Sequence, residues 1–194
     1  MRKAVKTRKT TETEIELSLN IDGSGQYKIN TGVPFFDHML ELFAKHGFFD
    51  LKIEAKGDTE IDFHHTVEDV GIVLGQAFRE ALGEMRGIVR YGSAATPMDE
   101  AIAATSVDIS GRPALVFKNK FDKEKTGGFD AELVEEFFKA FVNNAMIALH
   151  ISQEEGTNLH HKIEAVFKSF ACALDEATKL DPRQKSIPST KGTL

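Results

Sequence analysis

Cysteine and tryptophan are nearly missing from this chain. Its 194 residues include a single cysteine, Cys172, and no tryptophan, so no disulfide can form within the chain. No run of about 18 apolar residues occurs, and no membrane span is expected. The formal net charge is −6, whereas a nucleic-acid-binding surface would be basic. We therefore expect a globular protein of the reducing cytoplasm, without a nucleic-acid or membrane partner.

The pattern His-His-x-x-Glu occurs twice, and its two copies lie 96 residues apart (160 − 64 = 96). The copies are His64-His65-Thr66-Val67-Glu68 and His160-His161-Lys162-Ile163-Glu164. Imidazole suits transition metals, and a nearby carboxylate shifts the preference towards harder divalent ions. In a helix, residues three and four apart share a face, so each Glu can lie beside both of its histidines. Adjacent histidines point about 100° apart, so each histidine of a pair could bind a different ion.

Hydrophobic periodicity divides the chain into two similar parts. We predict an α+β fold with internally duplicated β-β-α-β-α halves, residues 1–90 and 91–194, whose sheets are covered by helices. Turn residues at 22–25 and 110–113 predict a β-hairpin in each half. Residues 1–9 form the only basic cluster and are predicted to be a solvated terminus.

The repeat also predicts a third ligand position in each half. When the halves are aligned on the His-His-x-x-Glu pattern, with a small change of loop length, His38 falls on Glu136. Both residues precede an apolar pair and lie five residues before a phenylalanine. Taken alone, Glu136 would be interpreted as a solvated helix charge. Grouped by half, the predicted ligands are His38, His64, His65 and Glu68, and then Glu136, His160, His161 and Glu164. Eight ligands suit two ions, each with a position open to substrate or water.

Three segments carry isolated cations among small residues, at 87–92, 108–113 and 186–192. Arginine offers planar, bidentate donors that match phosphate, and lysine offers a point charge. Each segment alone is also typical of a turn with a surface cation. Beside a pair of metal ions, the three segments together suggest a phosphorylated substrate. His46 ends a predicted helix, where it is either a helix cap or an anion ligand.

These stretches resemble the imidazoleglycerol-phosphate dehydratase family. The matching residues are 35–40, 62–69, 87–92, 108–113, 158–165 and 187–192, which follow the family order over nearly the whole chain. The resemblance implies a fold like that of ribosomal protein S5 domain 2 and two Mn²⁺ ions per active site. It also implies a homo-oligomer, typically of twenty-four subunits, with sites between subunits. The implied reaction removes water from imidazole glycerol phosphate in histidine biosynthesis.

The resemblance further implies roles for individual side chains. The metal ligands of the family match the eight residues named above. The phosphate-binding positions of the family match His46, Arg90, Arg112, Lys168, Ser189 and Lys191. A carboxylate near the first strand matches Glu12. The substrate has no carbonyl beside the proton to be removed, so its imidazole ring must accept the electrons. Our hypothesis assigns Glu164 as the base and Glu12 to the leaving hydroxyl.

Two other functions stay open at this point. A dinuclear metallophosphohydrolase would use its two ions to activate water against the phosphate. A structural or carrier protein would hold its metals in closed sites without an exchangeable position. The product formed from the phosphoester, inorganic phosphate or a ketone, distinguishes the hydrolase from the dehydratase.

Overall fold

Two four-stranded sheets and four long helices form the protein, seen here in a computed structural model that describes residues 2–194. The first half contains β1 (Lys3–Lys9), β2 (Thr13–Asn20), β3 (Tyr27–Asn30), α1 (Pro34–His46), β4 (Asp50–Gly57) and α2 (His64–Leu82). The second half contains β5 (Tyr91–Met98), β6 (Ala101–Asp108), β7 (Ala114–Lys118), β8 (Lys125–Thr126), β9 (Phe129–Asp130), α3 (Glu132–Ala145), β10 (Ala148–Glu155) and α4 (Leu159–Thr178). The predicted α+β fold with two similar halves is confirmed, and each half has one more long strand than predicted.

The additional strand of the first half is β1, and the prediction of a solvated terminus was wrong. β1 pairs antiparallel with β2 along its whole length, from Lys3 opposite Asn20 to Lys9 opposite Glu14. Its sequence is rich in lysine, and Ala4 is its only fully buried residue. Edge strands commonly carry lysine because the charge discourages pairing with other chains. The missing apolar alternation therefore reflects the edge position of the strand.

Neither predicted hairpin forms. The strand orders are β1-β2-β4-β3 and β5-β6-β10-β7, so β4 separates β2 from β3, and β10 separates β6 from β7. β3 pairs in parallel with β4, and β7 pairs in parallel with β10. Parallel neighbours need a crossover, and the helices α1 and α3 provide it. The identical topology of the two sheets supports the internal duplication.

The helices lie between the two sheets. Each sheet buries one face, as the alternation of buried Ile15, Leu17 and Leu19 in β2 illustrates. α1 and α2 cover the first sheet, while α3 and α4 cover the second. Across the middle, α1 packs against α4 and α2 against α3, so one cluster of buried side chains spans both halves. Among residues 2–194, no helix is long and apolar enough to cross a membrane. The boundary at residue 90 stays a prediction.

The close contact between α2 and α3 depends on Gly71 and Gly75. A Cβ atom at Gly75 would lie 2.5 Å from the carbonyl oxygen of Phe141, and one at Gly71 would lie 2.9 Å from that of Phe137. We expect Gly75→Ala to lower the free energy of unfolding by about 1–3 kcal/mol, because the helices must separate. Urea denaturation measures this loss. Arg79→Ala, exposed on the same helix, should stay within about 0.5 kcal/mol of the parent. If Gly75→Ala and Arg79→Ala had equal free energies of unfolding, the two helices would separate without a free-energy cost.

Candidate active site

Three predicted ligands meet where α1 packs against α4. The ligand atoms of His38, His160 and Glu164 all lie within 4.8 Å of one another. Oε2 of Glu164 is 3.3 Å from Nε2 of His160 and 3.6 Å from Nε2 of His38. Two ligand atoms bound about 2.1 Å from one ion lie about 3.0–3.5 Å apart, so this donor set fits a divalent ion. Within residues 2–194, no other group of three His, Cys, Asp or Glu side chains comes this close together.

The start of α4 explains how its ligands are presented. The side-chain oxygen of Asn158 accepts a hydrogen bond of 2.9 Å from the backbone N–H of His160 and so caps the helix. His160 and Glu164 are four residues apart and therefore share one face of the helix. Phe35 packs edge-on against the His160 ring, with the ring centroids 5.2 Å apart. The cap and the aromatic contact together restrict the orientation of this histidine.

The ligands are grouped differently from the prediction. We expected His38 to join the first-half pattern, but it lies beside the second-half pattern because α1 packs against α4. Glu136 occupies the equivalent position on α3, since both the residues and the helix starts are 98 apart (136 − 38 = 98 and 132 − 34 = 98). α3 packs against α2, which carries His64 and Glu68. Nε2 of His64 lies 3.7 Å from Oε2 of Glu68. The carboxylate of Glu136 lies 3.5 Å from the Lys139 ammonium. Each helix pair thus carries predicted ligands from both halves.

Glu164 is the most enclosed of the predicted ligands. Its side chain is 8% exposed, whereas that of Glu68 is 45% exposed. Oε1 of Glu164 accepts a hydrogen bond of 2.6 Å from the Lys168 ammonium, while Oε2 faces the two histidines. Burial raises the pKa of the Glu164 carboxyl, but Lys168 and the histidines outweigh burial and bring this pKa below its ordinary value. The corresponding position on α2 is Ile72 (168 − 96 = 72), which carries no charge.

His65 points to a different side of α2 from His64. The two rings are nearly perpendicular, at 87°, and their centroids are 6.2 Å apart. Nδ1 of His65 lies 3.0 Å from Oδ2 of Asp58, and this hydrogen bond raises the pKa of His65. Nε2 of His65 lies 3.8 Å from Oε1 of Glu12. The structure therefore brings the predicted catalytic carboxylate of Glu12 close to a predicted metal ligand.

The environment of His161 is closely similar. Its Nδ1 lies 2.7 Å from Oε2 of Glu100, a hydrogen bond that raises the pKa of His161, and its Nε2 lies 3.8 Å from Oδ2 of Asp99. Asp58, Asp99 and Glu100 were missed by the sequence analysis. For Glu100 the sequence does contain a signal. When the starts of β2 and β6 are aligned (101 − 13 = 88), Glu100 is the repeat equivalent of Glu12 (12 + 88 = 100).

The predicted phosphate-binding residues fall into two separate groups. One group lines a cavity of about 630 Å³ beside the C-terminal segment and consists of Arg90, Arg112, Ser189 and Lys191. The other group, His46 and Lys168, does not line this cavity and lies near Glu164. Burial, followed by the positive charge of Lys168, lowers the pKa of His46. A single chain therefore does not collect all of the predicted phosphate ligands at one place.

Arg90 connects the cavity to the C-terminal segment. Its Nε and Nη2 atoms donate to the Asp108 carboxylate at 2.7 and 3.2 Å. Its Nη1 atom donates to the carbonyl oxygen of Pro188 at 2.7 Å, and its guanidinium lies over the ring of Tyr91. These contacts hold the C-terminal segment at the edge of the cavity. Ser189 follows Pro188 directly in the sequence.

Comparison with known proteins identifies the family of the chain. A family model described as Imidazoleglycerol-phosphate dehydratase matches residues 31–174. The chain belongs to the imidazoleglycerol-phosphate dehydratase family. The curated imidazoleglycerol-phosphate dehydratases of Geobacter metallireducens and Acetivibrio thermocellus are 58% and 60% identical to it over 193 residues, which cover 100% of this chain and 99% of each relative.

Solved members of the imidazoleglycerol-phosphate dehydratase family share the fold. The crystal structure from Staphylococcus aureus matches with a TM-score of 0.84 and 46% identity, over 92% of this chain and 99% of that one. The structure from Pyrococcus furiosus, solved in complex with (S)-C348, also has a TM-score of 0.84, with 38% identity over 97% of this chain and 100% of that one. The predicted fold class is therefore confirmed by comparison as well as by the topology.

Proposed function

We propose that each active site of this protein combines parts of different subunits of a homo-oligomer. As a family member, the chain catalyses the dehydration of imidazoleglycerol phosphate in histidine biosynthesis, which is a hydro-lyase reaction. The observation that carries the proposal is the nearly perpendicular arrangement of the paired histidine rings, at 87° for His64 and His65 and 82° for His160 and His161. His65 and His161 do not belong to the cluster of His38, His160 and Glu164, and their Nε2 atoms instead lie 3.8 Å from the carboxylates of Glu12 and Asp99. A neighbouring subunit can therefore supply the ligands that each partial site lacks.

The assembled site would hold two Mn²⁺ ions. The proposed ligands are His38, His64, His65, Glu68, Glu136, His160, His161 and Glu164. This set contains only imidazole nitrogens and carboxylate oxygens, without thiolate, which is compatible with Mn²⁺, and the choice of Mn²⁺ over other divalent ions rests on the family resemblance. When bound, the ions would act as Lewis acids that stabilise negative charge on the substrate.

Glu164 and Glu12 are the proposed catalytic groups. Glu164 is enclosed beside Lys168 and two histidines, and we assign its carboxylate to accept the proton. Metal ligation and proton transfer compete for this carboxylate, but its two oxygens have different partners, with Lys168 on Oε1 and histidines on Oε2. The Glu12 side chain is half exposed beside His65, and we assign it to the handling of the leaving hydroxyl.

The phosphate group of the substrate would be bound by polar and cationic side chains from two subunits. One subunit would provide the cavity lined by Arg90, Arg112, Ser189 and Lys191. Another would provide Lys168 and His46, which lie beside the metal cluster. We propose a homo-oligomer of twenty-four subunits, located in the cytoplasm and without a nucleic-acid partner. Size-exclusion chromatography with light scattering measures the subunit number.

Turnover of imidazoleglycerol phosphate tests the reaction and its metal requirement together. We expect the chelator-stripped protein to be inactive and to form the ketone product once Mn²⁺ is added, without release of inorganic phosphate. Release of inorganic phosphate would instead favour the dinuclear phosphohydrolase. Unfolding on chelation, with no turnover after reloading, would favour a structural metal site. Failure of the folded, assembled and metal-loaded protein to form the ketone would contradict the assignment.

A further inference from the structure

The second histidine of each His-His-x-x-Glu pattern has a carboxylate at Nδ1. The distance is 3.0 Å from His65 to Asp58 and 2.7 Å from His161 to Glu100. In both cases Nε2 is the nitrogen that remains available to a ligand. None of the proposed roles described above uses Asp58 or Glu100.

The two carboxylates come from different parts of the repeat. Asp58 directly follows β4, in the loop before α2. Gly156 follows the equivalent strand β10, and it has no side chain that could make this contact. Glu100 comes instead from the turn between β5 and β6. Because the two halves reach the same contact by different routes, the contact is not a by-product of the duplication.

We propose that Asp58 and Glu100 are positioning residues for metal binding by His65 and His161. The inference rests on the proposed function, in which these histidines are metal ligands. Each carboxylate accepts a hydrogen bond from Nδ1–H, which places the free lone pair on Nε2 and fixes the orientation of the ring. A carboxylate partner also makes the imidazole a stronger ligand.

Asp58 offers the cleaner test of the two. Glu100 also accepts hydrogen bonds from the backbone N–H groups of Thr157 and Asn158, at 3.1 and 2.8 Å, and so stabilises the start of α4. Among residues 2–194, the hydrogen bonds of the Asp58 carboxylate go to His65 alone. A variant at position 58 therefore changes the histidine contact with less effect on the helix.

Equilibrium dialysis of the chelator-stripped, full-length protein against Mn²⁺ tests the proposal without any activity measurement. We expect Asp58→Ala to weaken Mn²⁺ binding at one class of site by about 10- to 100-fold. Asp58→Asn, which keeps an acceptor oxygen, should recover part of the affinity. Glu60→Ala removes the same charge from an exposed position in the same loop and should bind Mn²⁺ like the parent. If Asp58→Ala does not fold, Asp58→Leu removes the acceptor while keeping a similar size.

A parallel His65→Ala variant separates the two ways of failing. Weak Mn²⁺ binding by His65→Ala together with parental binding by Asp58→Ala would overturn the positioning role and leave the metal site intact. Parental binding by both variants would show that His65 is not a ligand, and the proposed metal set itself would fail. Equal losses for Asp58→Ala and Glu60→Ala would point to loop charge and would also overturn the inference.

Discussion

Replacing Glu164 with glutamine is expected to lower kcat/KM for imidazoleglycerol phosphate at least a thousandfold, or about 4 kcal/mol of transition-state stabilisation. The amide cannot accept the proton, and it removes the negative charge that faces His38, His160 and Lys168. An uncompensated Lys168 ammonium would also repel a divalent ion at the same place. Steady-state kinetics at saturating Mn²⁺, with metal content determined on the same sample, measure both effects.

The metal content decides how the effect of Glu164→Gln is divided. If the variant loses both one ion and its turnover, Glu164 acts mainly as a ligand. If it loses turnover but retains both ions, Glu164 acts mainly as the base. Glu135→Gln is the same substitution at an exposed position on α3 and should leave both quantities unchanged. Parental turnover with both ions present in Glu164→Gln would remove Glu164 from both roles.

Removal of residues 183–194 is expected to raise KM for the substrate by about 100-fold or more. The deletion takes away Ser189 and Lys191 from the cavity that also contains Arg90 and Arg112. Hydrogen bonds to charged groups contribute about 1.5–3 kcal/mol each, so two lost contacts amount to roughly 3–6 kcal/mol. The proposed catalytic carboxylates, Glu164 and Glu12, do not line this cavity, so kcat should fall less than KM rises.

Single substitutions refine the truncation experiment. Lys191→Ala should raise KM by about tenfold or more, since it removes one charged contact. Lys185→Ala removes the same type of side chain from the same segment but from outside the cavity, and it should behave like the parent. Circular dichroism and size-exclusion chromatography must show that the truncated protein is folded and assembled. An unchanged KM in that protein would exclude the C-terminal segment from phosphate binding.

Local features of the sequence predicted what depends on local geometry. The spacing of His160 and Glu164 determines that they share a helix face, wherever the helix lies in the fold. The alignment of His38 with Glu136 likewise follows from the repeat alone, and both occupy the same position on equivalent helices. The hairpins failed because strands adjacent in sequence were assumed to pair. In both sheets a strand that follows a crossover helix lies between them instead.

Tertiary packing decided what the sequence could not show. Whether His38 joins the first or second pattern depends on which helices pack together, and no spacing encodes that choice. The partners of His65 and His161 were missed for a related reason. A carboxylate in a loop, such as Asp58, is indistinguishable in sequence from the exposed Glu60 two residues later. Only the folded chain shows which of them contacts a histidine.

The pairing of α1 with α4 and of α2 with α3 also affects how the two proposed metal-binding regions can diverge. Two separate copies of one half, associated by twofold symmetry, would form two identical regions, and one substitution in the gene would alter both. In the fused chain, the predicted ligands of the two regions are encoded by different codons, so each region can change alone. Position 38 can therefore carry histidine while its equivalent, position 136, carries glutamate. Joining the halves into one chain makes it possible for the two proposed ions to have different ligands within one architecture.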